Sequence, residues 1–176
     1  MRLIAVAATV AAAAALQPQE ARADALKFRI DAERSTVSAA VAEPFAIFRG
    51  SAVGNFRVVA GEVSGDSANI QDTAKVRITI DATSYRSDSP SRDRKVTESS
   101  LESDRYPTIA FESTSVIGVV ATGANEGTLV VNGALTIHGE TRQIAVPVHA
   151  ALGADGTLAA DGEVTFNYEE YGVKVP

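Results

Sequence analysis

The chain has 176 residues, 45% of them hydrophobic, with no cysteine, no tryptophan and a formal net charge of −6. A chain without cysteine has no disulfide framework, thiol nucleophile or zinc–thiolate site, and the acidic balance argues against a nucleic-acid partner. The hydrophobic fraction is too high for a disordered chain, and the length is that of one domain.

The first 23 residues have the pattern of a secretory signal peptide. Arg2 precedes an apolar run of 14 residues, 3–16, and Ala21-Arg22-Ala23 supplies the small residues of a cleavage site. A membrane span needs about 20 apolar residues, so the run predicts export and no stable membrane span. We expect cleavage near Ala23, a periplasmic or secreted protein, and one folded domain over residues 24–176.

Apolar and polar residues alternate along most of the remaining sequence, which is typical of half-buried strands. Val76, Ile78 and Ile80, for example, face one side of a predicted strand while charged residues and threonine face the other. Strands are predicted over residues 26–31, 36–42, 53–63, 75–81, 107–116, 129–137, 144–152 and 163–169. About eight strands with short Gly-, Ser-, Asn- and Asp-rich connections indicate an antiparallel sandwich or barrel.

One segment, residues 87–107, departs from this alternation and is highly charged. Pro90 favours the start of a helical turn, with Thr97 or Ser99 as a capping residue. We expect a short helix in the 90–105 loop, lying across one end of the sheet. The charges are typical of a solvated face, and a surface that meets a partner is the alternative.

The sequence carries no recognisable catalytic motif: it lacks G-x-S-x-G, H-E-x-x-H, a Walker loop and EF-hand spacing. The two histidines, His138 and His149, lie on opposite arms of a predicted hairpin whose turn is residues 138–141. Pairing 138 with 142 would separate them by about seven residues, roughly 23 Å, which is too far for one metal ion. We therefore expect no enzyme and no metal site.

Small residues are frequent at the inward-facing positions of the predicted strands. They include Ala82, Gly133, Ala150, Ala160 and Gly162, beside valine and isoleucine. A barrel of about eight strands either fills with side chains or holds one small ligand. Small inward residues favour an apolar cavity, and a filled barrel is the alternative.

Four segments resemble the YceI-like family, and they follow one another in order across nearly the whole of residues 24–176. In chain order they are Gly54–Gly61 (G-x-F … G), Ile78–Ser84 (v-x-i-D-x-x-S), Arg92–Ser113 (R-D … y-P-x-i-x-F-x-S) and Gly133–Arg142 (G-x-L-T-l-H-G). The resemblance implies an exported, lipocalin-like antiparallel β-barrel that binds a polyisoprenoid-type lipid, including an isoprenoid quinone. It implies no catalytic role and no cofactor beyond such a lipid. The matched motif residues are expected to be mainly structural, namely Arg92, Asp93, Tyr106, Pro107, His138 and Gly139.

Parity within the predicted strands selects the side chains that would line a lipid. They are Phe56, Ile78, Ile80, Phe111, Leu135, Ile137, Val146, Val148, Val164 and Phe166. Each of these residues could equally be ordinary barrel core. The alternative function is a non-catalytic structural or stress-associated interaction module with a filled barrel.

Family members usually continue past a segment that resembles Tyr171-Gly172-Val173 into one more strand, whereas this sequence stops at Pro176. Either the barrel closes differently, or one edge of it stays open. Unpaired backbone groups at such an edge invite pairing with another chain, so a homodimer through an open C-terminal edge is a further expectation.

Overall fold

The computed structural model describes residues 25–41 and 52–174, and the predicted signal peptide lies outside them. Within these residues eight strands form one antiparallel sheet. The strands are β1 (Ala25–Arg29), β2 (Thr36–Val41), β3 (Ala52–Asp66), β4 (Lys75–Arg86), β5 (Thr108–Ala121), β6 (Glu126–Ile137), β7 (Glu140–Leu152) and β8 (Leu158–Gly162). Short helical segments are α1 (Ile70–Thr73), α2 (Pro90–Lys95), a π-helical turn (Val96–Ser100) and a 3₁₀ turn (Tyr168–Tyr171).

The sheet curls into a half-barrel, which confirms the predicted lipocalin-like antiparallel fold of about eight strands. The strands pair in the order β1-β3-β4-β5-β6-β7-β8. β1 pairs with residues 62–66 of β3 and β2 pairs with residues 52–57, so the two short strands lie end to end along one edge. Over the described residues no pairing joins β8 to β1, so the outer sides of both edges lack a strand partner.

The predicted alternation of apolar and polar residues decides which face of the sheet is concave. Directly paired residues of antiparallel strands project to the same face, and Ile78, Phe111 and Leu135 follow one another across β4, β5 and β6. The opposite face carries charged pairs such as Arg77 with Glu112, whose side chains are 2.6 Å apart and largely exposed. The apolar face therefore lies inside the curl.

The charged loop contains the predicted short helix, α2, and the π-helical turn that follows it. The predicted capping residues are wrong, because Ser89 caps α2 by accepting a hydrogen bond from the Arg92 N–H. Thr97 instead donates its hydroxyl to the Asp93 carbonyl oxygen at 2.9 Å. The loop then buries Leu101, so its charges lie over an apolar anchor.

The β6–β7 hairpin has a tighter turn than the predicted four residues. Ile137 pairs with Glu140, which leaves His138 and Gly139 as a two-residue turn with φ values of 52° and 79°. Positive φ at both positions matches the right-handed twist of the flanking strands. His149 consequently pairs with Thr128 and lies farther from His138 than the predicted register placed it.

The predicted strand over residues 163–169 is wrong. The last strand is β8, and the chain then turns inward through the 3₁₀ turn. The Asn167 side chain accepts a hydrogen bond from the Glu169 N–H at 3.0 Å, and Gly172 ends the turn with a φ of 69°. The turn buries Tyr171 and Val173 in the core.

Gly133 of β6 lets an aromatic ring pack closely against the strand backbone. A Cβ added at this position would lie 2.5 Å from the Phe111 ring and 2.6 Å from the Glu112 carbonyl oxygen. Real side chains do not approach so closely, so a larger residue displaces the ring or the backbone. The glycine of the family-like G-x-L-T segment therefore has a packing role.

We predict that Gly133→Ala lowers the free energy of unfolding by about 2 kcal/mol, because overpacking a close contact costs about 1–3 kcal/mol. Urea denaturation followed by circular dichroism measures the change. Ala134→Val is the control, since Ala134 lies on the opposite face of the same strand and is only half-buried. Equal stability of Gly133→Ala and the parent protein would contradict the packing role.

Candidate functional site

The concave face is divided along the strands into a packed end and a half-exposed groove. The packed end, called here the closed end, is built on ten buried residues: Phe56, Ile80, Ala82, Tyr85, Leu101, Ile109, Leu135, Ile137, Tyr171 and Val173. The groove consists of nine apolar residues of the same face that are each only partly buried: Phe28, Val63, Val76, Ile78, Phe111, Leu129, Ile144, Val146 and Val148.

The strand register places groove residues opposite one another on neighbouring strands, and the fully buried Val116 and Val131 lie between the two sides of the groove. Phe28 stands opposite Val63, which stands opposite Val76 across β3 and β4. On the other side of the curl, Leu129 of β6 stands opposite Val148 of β7. Partly exposed apolar side chains on one concave face form a surface that an apolar ligand covers favourably.

Three parts of the chain, distant in sequence, pack together at the closed end. Leu101 follows the π-helical turn, Ile137 precedes the β6–β7 turn, and Tyr171 belongs to the C-terminal 3₁₀ turn. Tyr171 is 1% exposed, and its ring meets Phe166 edge-on with centroids 5.3 Å apart. The C-terminal segment therefore fills part of the interior at the closed end.

The predicted lining residues fall into three groups in the structure. Phe56, Ile80, Leu135 and Ile137 belong to the closed end, where they pack against other side chains. Ile78, Phe111, Val146 and Val148 lie in the groove. Val164 and Phe166 follow β8 outside any strand, and Phe166 is 39% exposed.

Sequence reasoning missed several buried residues of this face, chiefly Tyr85, Leu101, Tyr171 and Val173. The predicted strand ended at Asp81, whereas β4 continues to Arg86 and therefore includes Tyr85. The Tyr171-Gly172-Val173 resemblance was the available signal for the C-terminal residues. Of the small inward positions, Ala82 and Gly133 are buried, whereas Ala160 and Gly162 of β8 are exposed.

The family-like motif residues of the β6–β7 turn and the charged loop meet at the closed end. The Tyr106 ring packs on His138 with centroids 4.4 Å apart, and a Cβ on Gly139 would lie 2.7 Å from Tyr106. His138 Nε2 lies 3.6 Å from Glu102 Oε1. Among the described residues, Glu102 and His138 are the two non-glycine residues with positive φ, so this junction holds both turns in a sparsely populated conformation.

Asp81 and Ser84 are the polar residues of the family-like D-x-x-S segment. They supply hydrogen bonds where the pairing of β3 and β4 is interrupted. The register shifts between Asn55 and Arg57, and the Arg57 N–H donates to Ser84 Oγ at 2.8 Å in place of a ladder partner. Ser84 Oγ in turn donates to the Asp81 carbonyl oxygen at 2.6 Å. Asp81 and Ser84 therefore have a structural role in the pairing of β3 and β4.

Hydrogen bonds hold the Asp81 side chain in its charged form. Donation from Thr83 Oγ1 at 2.6 Å is the main reason that the pKa of Asp81 lies below its usual value. The Arg57 guanidinium, 2.7 Å from the carboxylate, lowers the pKa further, while partial burial acts in the opposite direction. The charged form is thus the one that the fold favours.

An open cleft of about 370 Å³ lies beside the C-terminal segment, lined by Tyr168, Glu169, Gly172, Val173 and Lys174. Its lining includes none of the predicted ligand-lining residues. In the part of the chain that the structure describes, no helix has both the length and the apolar character needed to cross a bilayer.

The curled antiparallel sheet with an apolar concave face defines a lipocalin-like half-barrel. The sequence model of the YceI-like domain matches residues 28–175, and the chain belongs to the YceI-like family. A UPF0312 protein of Shewanella oneidensis is 33% identical over 129 residues, which cover 70% of this chain and 64% of that protein. The match therefore spans slightly less than two thirds of that relative.

Solved structures share the fold at lower sequence identity. BcnA of Burkholderia cenocepacia has a TM-score of 0.68 and 24% identity, covering 84% of this chain and 86% of BcnA. A YceI protein of Campylobacter jejuni has a TM-score of 0.54 and 18% identity, covering 76% of this chain and 78% of that protein. At these identities the likeness concerns the fold alone.

We predict that Asp81→Asn removes a pH-dependent part of the stability. Because the pKa of Asp81 is lower in the folded than in the unfolded protein, its carboxylate stabilises the fold fully above the unfolded-state pKa. That contribution is lost as the pH falls through the folded-state pKa. The difference in unfolding free energy between the parent and Asp81→Asn should therefore be constant near neutral pH and shrink below about pH 4.

Urea denaturation of both proteins between pH 7 and pH 2 measures this difference. Asp104→Asn serves as the control, because Asp104 is an exposed carboxylate of the charged loop. A difference that stays constant down to pH 2 would show that Asp81 has no depressed pKa in the folded protein.

Proposed function

We propose that the protein is a non-catalytic, periplasmic or secreted carrier that holds an isoprenoid-like apolar lipid in the groove. One observation supports this proposal above the others. A row of apolar side chains on the concave face stays partly exposed, although the same face is fully packed at the closed end. Exposed apolar area on a concave surface is the usual basis of binding for a ligand without strong polar contacts.

The energetics of prenyl chains suit such a groove. Each buried methylene contributes about 0.8 kcal/mol, so several isoprene units gain substantial free energy from apolar contact alone. Ile144, Val146 and Val148 offer branched side chains at successive inward positions of β7. Branched, stiff side chains lose little rotamer freedom when a ligand covers them.

The proposed location depends on the N-terminal sequence. Residues 1–23 have the charge, apolar core and small residues of a signal peptide, and we propose cleavage near Ala23. Edman sequencing or intact mass of the protein recovered from a periplasmic extract would test the location. A mature N-terminus other than one near Asp24, or recovery of the protein only from the cytoplasm, would contradict it.

A second candidate is a homodimer or other assembly formed through an open edge of the half-barrel. β8 has a partner on one side only within the described residues, and an unpaired strand edge is a template for another strand. Sedimentation velocity over a hundredfold range of protein concentration tests this proposal. A monomer throughout that range would reject it and leave the carrier proposal unaffected.

The direct test of the carrier is lipid analysis of the protein purified from its native host without detergent. We expect a prenyl lipid in near-stoichiometric amount in the organic extract, identified by mass spectrometry. If no lipid is present and an added prenyl quinone does not bind, the groove is not a lipid site. The filled-barrel interaction module would then be the better interpretation.

We predict that Val146→Gln weakens the binding of a prenyl quinone about tenfold, because it places an amide in the apolar groove at a cost of roughly 1–2 kcal/mol. Ala145→Gln is the matched control, since Ala145 is the adjacent, outward-facing and exposed residue of β7. Quenching of intrinsic tyrosine fluorescence by the quinone reports the affinity. An equal effect of both substitutions would argue against binding on the concave face.

A further inference from the structure

The inward face of β7 changes from apolar to charged where the groove meets the closed end. Arg142 stands directly opposite Leu135 of β6, and Ile144, Val146 and Val148 continue from it at alternate positions. The inward face of β7 is therefore a row of apolar side chains that ends, beside the closed end, in the guanidinium of Arg142.

Most of the hydrogen-bonding capacity of Arg142 is not used by the described residues. Its Nη1 donates to the Thr141 carbonyl oxygen at 2.8 Å and lies 3.3 Å from Glu140 Oε2. The side chain is 43% exposed. A guanidinium has five N–H donors, so Nε and Nη2 remain for a further acceptor over the described part of the chain.

Tyr171 brings a second donor to the same end of the concave face. The residue is 1% exposed, and its hydroxyl is buried without a hydrogen-bond partner among the described residues. Buried polar groups of folded proteins are almost always paired, and an unpaired one calls for a water or a ligand group. The 3₁₀ turn that carries Tyr171 packs against β7, the strand of Arg142, and Tyr171 belongs to the same buried cluster as Leu135, the residue opposite Arg142. Burial raises the pKa of Tyr171, and the positive charge of Arg142 acts in the opposite direction.

We propose that Arg142 and Tyr171 form a head-group subsite that binds a hydrogen-bond-accepting oxygen of the lipid while its prenyl chain lies along the groove. This inference rests on the proposed carrier function and adds the orientation and chemical class of the ligand. The ligand enters with its oxygen-bearing end toward the closed end. Both a quinone carbonyl and a prenyl phosphate offer the required acceptor.

Arg142 and Tyr171 would treat these two head groups differently. The Tyr171 hydroxyl can donate to either oxygen, and its bond to the anionic phosphate is the stronger one. The guanidinium is charged, so its bonds to both acceptors are charge-assisted, and only the phosphate also forms an ion pair with it. The affinity of the parent protein for each probe, together with the loss in each variant, therefore distinguishes the two sources of the acceptor.

The experiment compares three probes with chains of similar size: a prenyl quinone, a prenyl phosphate and squalene, a hydrocarbon without oxygen. Affinities are measured for the parent protein and for Tyr171→Phe, Arg142→Gln and Tyr168→Phe. Tyr168→Phe is the matched control, because Tyr168 lies in the same 3₁₀ turn and is only partly buried. Tyr171→Phe removes one oxygen atom and keeps the ring, so the fold is expected to persist with unchanged or higher stability.

We expect Tyr171→Phe to weaken the oxygen-bearing ligand about three- to tenfold, the range of one neutral hydrogen bond, and to leave squalene binding unchanged. We expect Arg142→Gln to weaken the phosphate more than the quinone, and the probe that binds the parent protein more tightly identifies the preferred head group. Equal loss of all three probes in Tyr171→Phe, or no loss of any, would overturn the subsite and leave the carrier proposal standing. Failure of all three probes to bind the parent protein would overturn the carrier proposal, and the subsite with it.

Discussion

A single sheet with one apolar face has to bury that face without a second layer, and this constraint shapes the whole molecule. The apolar rows of β3 to β7 cannot all be covered by the short helices that the chain provides. Curling brings the rows toward one another, so that the strands bury each other's side chains. Burial is complete at the closed end and at Val116 and Val131, whereas the groove residues keep part of their surface in contact with solvent.

The closed end is completed by pieces that are not strands. Leu101 comes from the charged loop, and Tyr171 and Val173 come from the C-terminal turn. Side-chain hydrogen bonds hold both pieces in place, because Ser89 caps α2 and Asn167 caps the 3₁₀ turn. Polar and charged residues thus determine where the apolar anchors lie, which explains why a highly charged loop contributes to the core.

Sequence periodicity predicted most strands because each has one buried and one solvated face, as in Lys75–Asp81. It failed after residue 162 for a physical reason. Val164 and Phe166 have the spacing of a strand, but the side-chain cap of Asn167 and the left-handed Gly172 stabilise a turn instead. The β6–β7 turn was misjudged because His138 adopts a positive φ, which is uncommon for residues other than glycine, although histidine adopts it more often than most.

Prediction of the candidate site was similarly uneven. Parity identified the concave face and therefore placed Val146 and Val148 in the groove. Parity could not distinguish these groove residues from Leu135, which is packed at the closed end. The burial of a residue along a strand depends on what covers the end of the barrel. That information lies in the loop and the C-terminal turn, whose anchors Leu101 and Tyr171 are separated from the strands they cover by irregular chain. The D-x-x-S segment was recognised as a sequence pattern. The hydrogen bonds of its Asp81 and Ser84 are explained only by the register of β3 and β4.

The broken edge formed by β1 and β2 affects how the protein behaves when crowded. A half-barrel with unjoined edges would ordinarily be prone to indefinite strand addition of the kind that produces fibrils. Here one edge is interrupted between Arg29 and Thr36, and the other consists of the five residues of β8. Over the described residues neither edge offers a long uninterrupted row of backbone groups, which limits strand addition to short pairings and disfavours growth into a fibril.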